Sequence, residues 1–256
     1  MKNIFQGIKA YTGAFALISK LKLWNYFFVP IGISLFTAIT IGFLAYSLSS
    51  PIGTFIAKIW VWDWGKDSFT SFSSIMGGLL VVILGFILYK HIIMALSAPF
   101  MSPVSERIEA HLLGTKRHEH RNTSFREQLW RGIKINVRNL SFEILLTIPI
   151  LLIGFIPVIG IISTILLFLV QAYYAGFGNM DYTLERHLNY RESITFVKNN
   201  KGAAIGNGIV FMLFLLIPVV GIILVLPLSV TAASIKTVDL LTIENRLVST
   251  QKTTLK

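Results

Sequence analysis

Several groups of side chains in this sequence could do chemistry, and most fail on spacing. His118-Glu119-His120, flanked by Lys116, Arg117 and Arg121, offers imidazole and carboxylate donors of the kind that hold zinc. A helical metal motif, however, places its two histidines four residues apart with the glutamate between them. Here they are two apart, so the segment reads as a solvated basic loop and no metal site is expected. The hydroxyls of Ser163, Thr164 and Ser229 lie in apolar stretches, with no base beside them in sequence and no nucleophile-elbow pattern. The chain has no cysteine, which removes thiolate catalysis, thiolate metal sites and disulfides. No constellation argues for an enzyme, and no cofactor is expected. Glu143, at the edge of a long apolar run, could pair with Arg138 or exchange a proton. Gln171, Asn179 and Asn207 could hydrogen-bond between helices. Anion binding has the better footing. Lys20 and Lys22 stand just ahead of the first apolar run, whose helix amides would also favour negative charge. Lys198 and Lys201 stand similarly ahead of the last one.

The elements that must carry these residues are set by composition. Hydrophobic residues make up 54% of the 256 and charged residues only 14%, with a mean hydropathy of +0.69. A soluble domain carries about 25% charged residues, so the chain is expected to be an integral, multi-pass membrane protein with the lipid bilayer as its surroundings. Its net charge of +11 then belongs to loops held on the cytoplasmic side rather than to a nucleic-acid surface, and no nucleic-acid partner is expected.

Residues 1–23 mix Phe5, Ile8, Phe15, Leu17 and Ile18 with Lys2, Lys9, Lys20 and Lys22, the pattern of an amphipathic helix on a membrane surface. No short apolar stretch with a small-residue cleavage site sits near Met1, so the start does not read as a signal peptide. Residues 24–48 form a first spanning helix. Trp60, Trp62 and Trp64 read as interface anchors. Residues 72–113 form a second spanning helix with a cytoplasmic extension, in which Lys90 is expected to snorkel towards water.

The second half contains an internal repeat. Ile156-Pro157-Val158-Ile159-Gly160-Ile161-Ile162 recurs 61 residues later as Ile217-Pro218-Val219-Val220-Gly221-Ile222-Ile223, with six identities and one Ile/Val exchange. Each copy sits midway in an uncharged run, 37 residues at 144–180 and 34 at 202–235. A proline followed by a glycine breaks a helix, and apolar arms of about 13–18 residues reach ~20–27 Å, short of a ~30 Å hydrocarbon core. The tips carry no polar residue that would seek water on the far side. Two hairpins, 142–180 and 202–235, are therefore expected to enter the bilayer and turn back inside it, their tips marked by Pro157, Gly160, Pro218 and Gly221. Four ordinary short spans with apolar turns remain the alternative. Residues 241–256 form a C-terminal tail. Twenty of the 23 basic residues fall in the segments that this topology puts on one side, and Lys58 and Lys66 alone in the loop on the other. Six crossings would fit equally well. The expected fold class is an all-α integral membrane protein, one membrane domain, with an N-terminal amphipathic helix, two long transmembrane helices and two half-penetrating (re-entrant) helical hairpins.

These pieces resemble a known family. Gly7-Ile8-Lys9, Leu23-Trp24-Asn25-Tyr26 leading to Pro30, Ala98-Pro99-Phe100 and Ser105-Glu106-Arg107-Ile108-Glu109 are similar to segments of the CysZ-type sulfate permeases. So are Asp181-Tyr182 with His187, the stretch Lys198-Asn199-Asn200-Lys201, and both hairpin tips. The same family holds the eukaryotic etoposide-induced membrane proteins, whose role is not sulfate uptake. The resemblance implies a homo-oligomeric permease for sulfate or a related oxyanion, in a bacterial cytoplasmic (inner) membrane, feeding sulfur assimilation. In the bacterial permeases a basic pair before the first span binds sulfate. Registered on Pro30, that pair falls on Trp24 and Asn25, neither of them basic, while Lys20 and Lys22 nearby could substitute as point charges. The residue after Ala-Pro-Phe is Met101, where the permeases often carry Asn. Lys20, Lys22, Trp24 and Asn25 are the candidate substrate-binding residues. A non-transporting membrane scaffold or biogenesis factor of the same fold is the other reading.

Overall fold

The computed structural model describes residues 2–60, 64–114, 123–154, 159–217 and 220–247. Pro157, Pro218, Trp62, His118-Glu119-His120 and residues 248–256 lie outside the described residues. Among those described, the regular secondary structure is helical throughout: α1 Lys2–Lys9, α2 Ala14–Lys20, a 3-10 turn Leu23–Phe27, α3 Phe28–Ala57, α4 Lys66–Leu113, α5 Phe125–Gly154, α6 Ile159–Leu184, α7 Tyr190–Asn199, α8 Lys201–Leu215 and α9 Val220–Ile243.

The N-terminal segment differs from one continuous surface helix. Gly13, at φ +92°, separates α1 from α2, and Lys22, at φ +53°, turns the chain into the 3-10 segment. Ala14, Ile18, Leu23 and Phe27 are fully buried. Part of the apolar surface of this segment is thus spent on protein, while Phe5 and Phe15 stay exposed. Tyr11 fastens it, its hydroxyl shared between the Asn207 carbonyl and Ser229 Oγ, each at 2.8 Å. Burial pushes that phenol well above its usual range.

α3 and α4 form an antiparallel pair in which Gly53 meets Ser74 and Gly77 meets Ser49. At their connection Trp60 Nε1 donates to the Trp64 carbonyl at 3.0 Å and the Trp60 ring stacks on Phe69, an aromatic cluster suited to a membrane interface. α4 has 48 residues, about 72 Å of helix, and outruns any bilayer. Its outer half exposes Phe72, Ile75 and Ile83, while its inner half buries Ile93, Met94, Ala98, Met101, Val104 and Ile108 in the core. Among the described residues, five helical stretches are long and apolar enough to cross a membrane: Leu23–Ala57, Lys66–Leu113, Phe125–Gly154, Gly160–Leu184 and Ile223–Ile243. α8 is shorter, at 15 residues.

α5–α6 and α8–α9 are the two copies of the repeat. α6 and α8 cross at a seam of small residues. A Cβ on Gly176 would stand 1.8 Å from the Ala204 carbonyl oxygen, and one on Gly208 would stand 1.7 Å from that of Ala172. Ala172/Gly176 and Ala204/Gly208 are each four apart, the small-residue spacing that lets two helix backbones touch where water supplies no hydrophobic drive.

Candidate anion site and buried polar core

The four sequence-nominated binding residues fall on the turn between α2 and α3. Lys20 and Lys22 are exposed, and Lys22 caps the 3-10 segment from the left-handed region. An L-residue there costs about 1–2 kcal/mol relative to right-handed backbone, a strain worth noticing where a charged side chain carries it. Asn25 is exposed. Trp24 is engaged elsewhere: its Nε1 donates to Ser19 Oγ at 3.1 Å, and its ring packs edge-on against Phe15 and Phe27. It shapes the turn instead of offering a free donor.

The inner end of α4 brings further cationic or basic groups to this turn. His111 Nε2 lies 3.5 Å from Lys20 Nζ, and the Arg107 guanidinium sits 4.8 Å from the centre of the Tyr26 ring. Arg107 and His111 are four residues apart, hence on one helix face. Lys20, Arg107 and His111 therefore meet at the turn that leads into the helical body Leu23–Ala57, with Lys22 in the same turn as the residue that caps the 3-10 segment, at the end of a helix that favours negative charge. Sequence reading gave Arg107 only as part of a family motif and missed His111, because the contact joins residues 91 positions apart.

The bundle interior holds a second polar group. Lys90 is buried, its Nζ 2.7 Å from Glu143 Oε1 and 3.5 Å from the Gln171 carbonyl. His91 Nε2 lies 3.0 Å from Glu143 Oε2, and its Nδ1 lies 3.4 Å from Asn136 Oδ1. Lys90 does not snorkel: only 1% of its surface is exposed, because Glu143 on α5 gives its ammonium a partner at depth. Nor does Glu143 pair with Arg138, whose guanidinium bonds Asn139 Oδ1 and covers the rings of Phe142 and Phe177. Asn179 and Asn207 do bond one another, at 2.9 Å, and Asn207 also donates to the Ser229 carbonyl.

A third cluster explains the family-like motifs. Glu109 accepts from Arg186 Nη2 and contacts His187 Nε2, both at 2.8 Å. Ser105 donates to the Tyr182 carbonyl and accepts from Arg186. Arg131 grips Asp181 through two nitrogens at 2.9 and 3.0 Å, the bidentate fork that lysine cannot reproduce. Ser105 and Glu109 of α4 thus recognise the end of α6, and the motifs are the two halves of one lock. Glu185, just past α6, is buried, and one of its carboxylate oxygens has no hydrogen-bond partner among the described residues. Burial, reinforced by Asp181, pushes its carboxyl up to about 7, against the opposing pull of Ser102, Arg186 and Arg131.

Of the hairpin-tip residues, Gly160 and Gly221 are described. A Cβ on Gly160 would meet the Gly154 carbonyl at 3.0 Å, and one on Gly221 would meet the Phe214 carbonyl at 2.1 Å. Both glycines admit the returning arm against its partner. Among the described residues no cluster of His, Asp and Glu has the arrangement of a metal site.

Apolar spanning helices around buried ion pairs define a multi-pass helical membrane protein. The particular family is given by comparison with known proteins. The family described as "Sulfate transporter CysZ/Etoposide-induced protein 2.4" matches residues 10–225, and the chain belongs to it. Among curated relatives it is 27% identical over 161 residues to "Sulfate transporter CysZ" of Pseudomonas aeruginosa (strain LESB58), covering 61% of this chain and 64% of that protein. It is 27% identical over 160 residues to the protein of that name in Pseudomonas syringae pv. tomato, covering 61% and 62%. A third, in Pseudomonas fluorescens, is 26% identical over 161 residues, covering 61% and 63%. The match thus spans a little under two thirds of these relatives. They are named as transporters, not as enzymes.

Proposed function

We propose that this protein is a permease that admits sulfate or a related oxyanion across a bacterial cytoplasmic membrane and so supplies sulfur assimilation. The observation that carries this reading is the meeting of Lys20, Arg107 and His111 at the turn that also holds Lys22, ahead of the first spanning helix. A tetrahedral dianion is held by several cations and amides at once, and a helix N-terminus supplies the latter without a counter-charge. Membership of a family described as a sulfate transporter points to the same ion.

In this reading α3 and α4 cross the bilayer, while α5–α6 and α8–α9 enter it and turn within. The apolar part of α5 beyond Glu143 has eleven residues, about 16 Å, and α8 with its 15 residues reaches about 22 Å; both fit half-depth arms. The tips then line or gate the anion route, and copies of the chain assemble to shelter them, since non-helical backbone at membrane depth must be covered. The closely packed α6–α8 seam favours a second reading, a non-transporting scaffold or biogenesis factor whose hairpins are packing surfaces.

Uptake of labelled sulfate into proteoliposomes separates the two. The permease reading expects uptake above protein-free vesicles and its loss in Lys20→Ala/Lys22→Ala. Background uptake by well-folded wild-type protein would leave the scaffold reading standing.

A further inference from the structure

A groove of about 320 Å³ opens between α5, α6 and α8. Its walls are Leu146, Leu166, Leu169, Val170 and Ile205, and its mouth carries Lys198 and Lys201 beside Tyr173. The groove lies on the lateral surface: Leu146 and Leu166 are each more than two-fifths exposed. Apolar walls facing lipid accept hydrocarbon without a desolvation cost. The mouth, in contrast, is cationic and unbalanced. Lys198 and Lys201 flank Asn200 at the α7–α8 junction, and neither pairs with a carboxylate among the described residues. The nearby acidic groups are occupied: Glu192 completes the capping box of α7, and Glu244 accepts from Asn200 Nδ2 at 2.9 Å.

We propose that this groove is a binding site for an anionic phospholipid, with one acyl chain lying between α5, α6 and α8 and the headgroup phosphate held by Lys198 and Lys201. Charge and greasiness occur here at one place and in the right order. Basic pockets between membrane helices on the cytoplasmic side recognise anionic headgroups in this way, and the basic loops of this chain belong on that side. The groove lined by Leu88, Ile92, Leu96, Ile133 and Val137 has similar walls but no lysine or arginine at its mouth, so it gives no headgroup preference.

The test uses the purified full chain in neutral detergent. It is delipidated and then offered palmitoyl-oleoyl phosphatidylglycerol, the phosphatidylcholine with the same chains, or inorganic phosphate. Retained lipid is read by native mass spectrometry and stability by thermal melting. Phosphatidylglycerol should be retained and raise the melting temperature, phosphatidylcholine much less so, and phosphate should do neither. Lys198→Gln/Lys201→Gln should bind phosphatidylglycerol about thirtyfold more weakly. Ile205→Trp should fill the groove and lose the lipid with both lysines intact. Equal retention of phosphatidylcholine, or an unchanged affinity in the lysine variant, would overturn the proposal. Stabilisation by phosphate alone would reassign the lysines to a free oxyanion. Retention in Ile205→Trp would show headgroup adsorption without a groove, and dissociation of an oligomer in that variant without lipid loss would make the groove a contact between copies; each of these also overturns it.

Discussion

Lys90 on α4 and Glu143 on α5 form a buried ion pair, 2.7 Å between Nζ and Oε1, with each side chain no more than 2% exposed. His91 takes the second oxygen of the same carboxylate at 3.0 Å. One glutamate therefore ties down two consecutive residues of the longest helix. Removing one partner of a buried pair strands the other charge, which costs about 3–5 kcal/mol. Glu143→Ala should accordingly melt far below the wild type in detergent, while Lys90→Met/Glu143→Leu should recover most of the loss. A double variant as unstable as the single one would contradict this.

The α6–α8 seam gives a steric prediction. Gly176→Ala would press its methyl into the Ala204 carbonyl oxygen, only 1.8 Å from the ideal Cβ position, and backbone cannot give way as a side chain can. Helix separation and a large loss of stability should follow, seen as a lower melting temperature. A Cβ on Gly42 in α3 would meet nothing within 4 Å among the described residues, so Gly42→Ala should be neutral or stabilising by about 0.5–1 kcal/mol.

Glu185 predicts a pH dependence. Its carboxyl is held at about 7 in the fold, against about 4.3 for a free glutamate. Below the lower value both states are protonated and the fold has its full stability. Between the two the folded protein keeps a proton that the unfolded chain has released, so stability falls as pH rises and levels off above about 7. The total is up to about 4 kcal/mol. Melting temperature measured from pH 5 to 8 should drop in the wild type and flatten in Glu185→Gln. Parallel curves for the two proteins would contradict the assignment.

Lys22 separates charge from conformation. Lys22→Gly should relieve about 1 kcal/mol of left-handed strain while removing a cation, giving a slightly more stable protein that takes up sulfate more slowly. Lys22→Gln should lose uptake without that gain. Melting curves and uptake assays on the same preparations distinguish the two effects.

The all-helical, membrane-spanning character of the chain is legible in its sequence. The paired Pro-x-x-Gly breaks and the apolar runs marked the helices of the second half because local chain chemistry makes them. Long-range pairings were not legible. Lys90 looked like a residue bound for water because its partner stands 53 positions away, and Glu143 was offered the nearer Arg138. The spacing of Ala172/Gly176 and Ala204/Gly208 is visible in the chain, but which small stripe meets which depends on how the hairpins are folded together. At the proposed anion site, Lys20 and Lys22 can be nominated from their place before an apolar run. Arg107 and His111 join them only because α4 returns past that turn.

Locating a bound oxyanion tests the central claim most directly. Crystals of the purified protein soaked in selenate, whose selenium scatters anomalously, should show a peak within hydrogen-bonding reach of Lys20 and Lys22, absent in Lys20→Ala/Lys22→Ala. An ordered selenate bound elsewhere in the bundle, or a peak indifferent to both substitutions, would contradict the account.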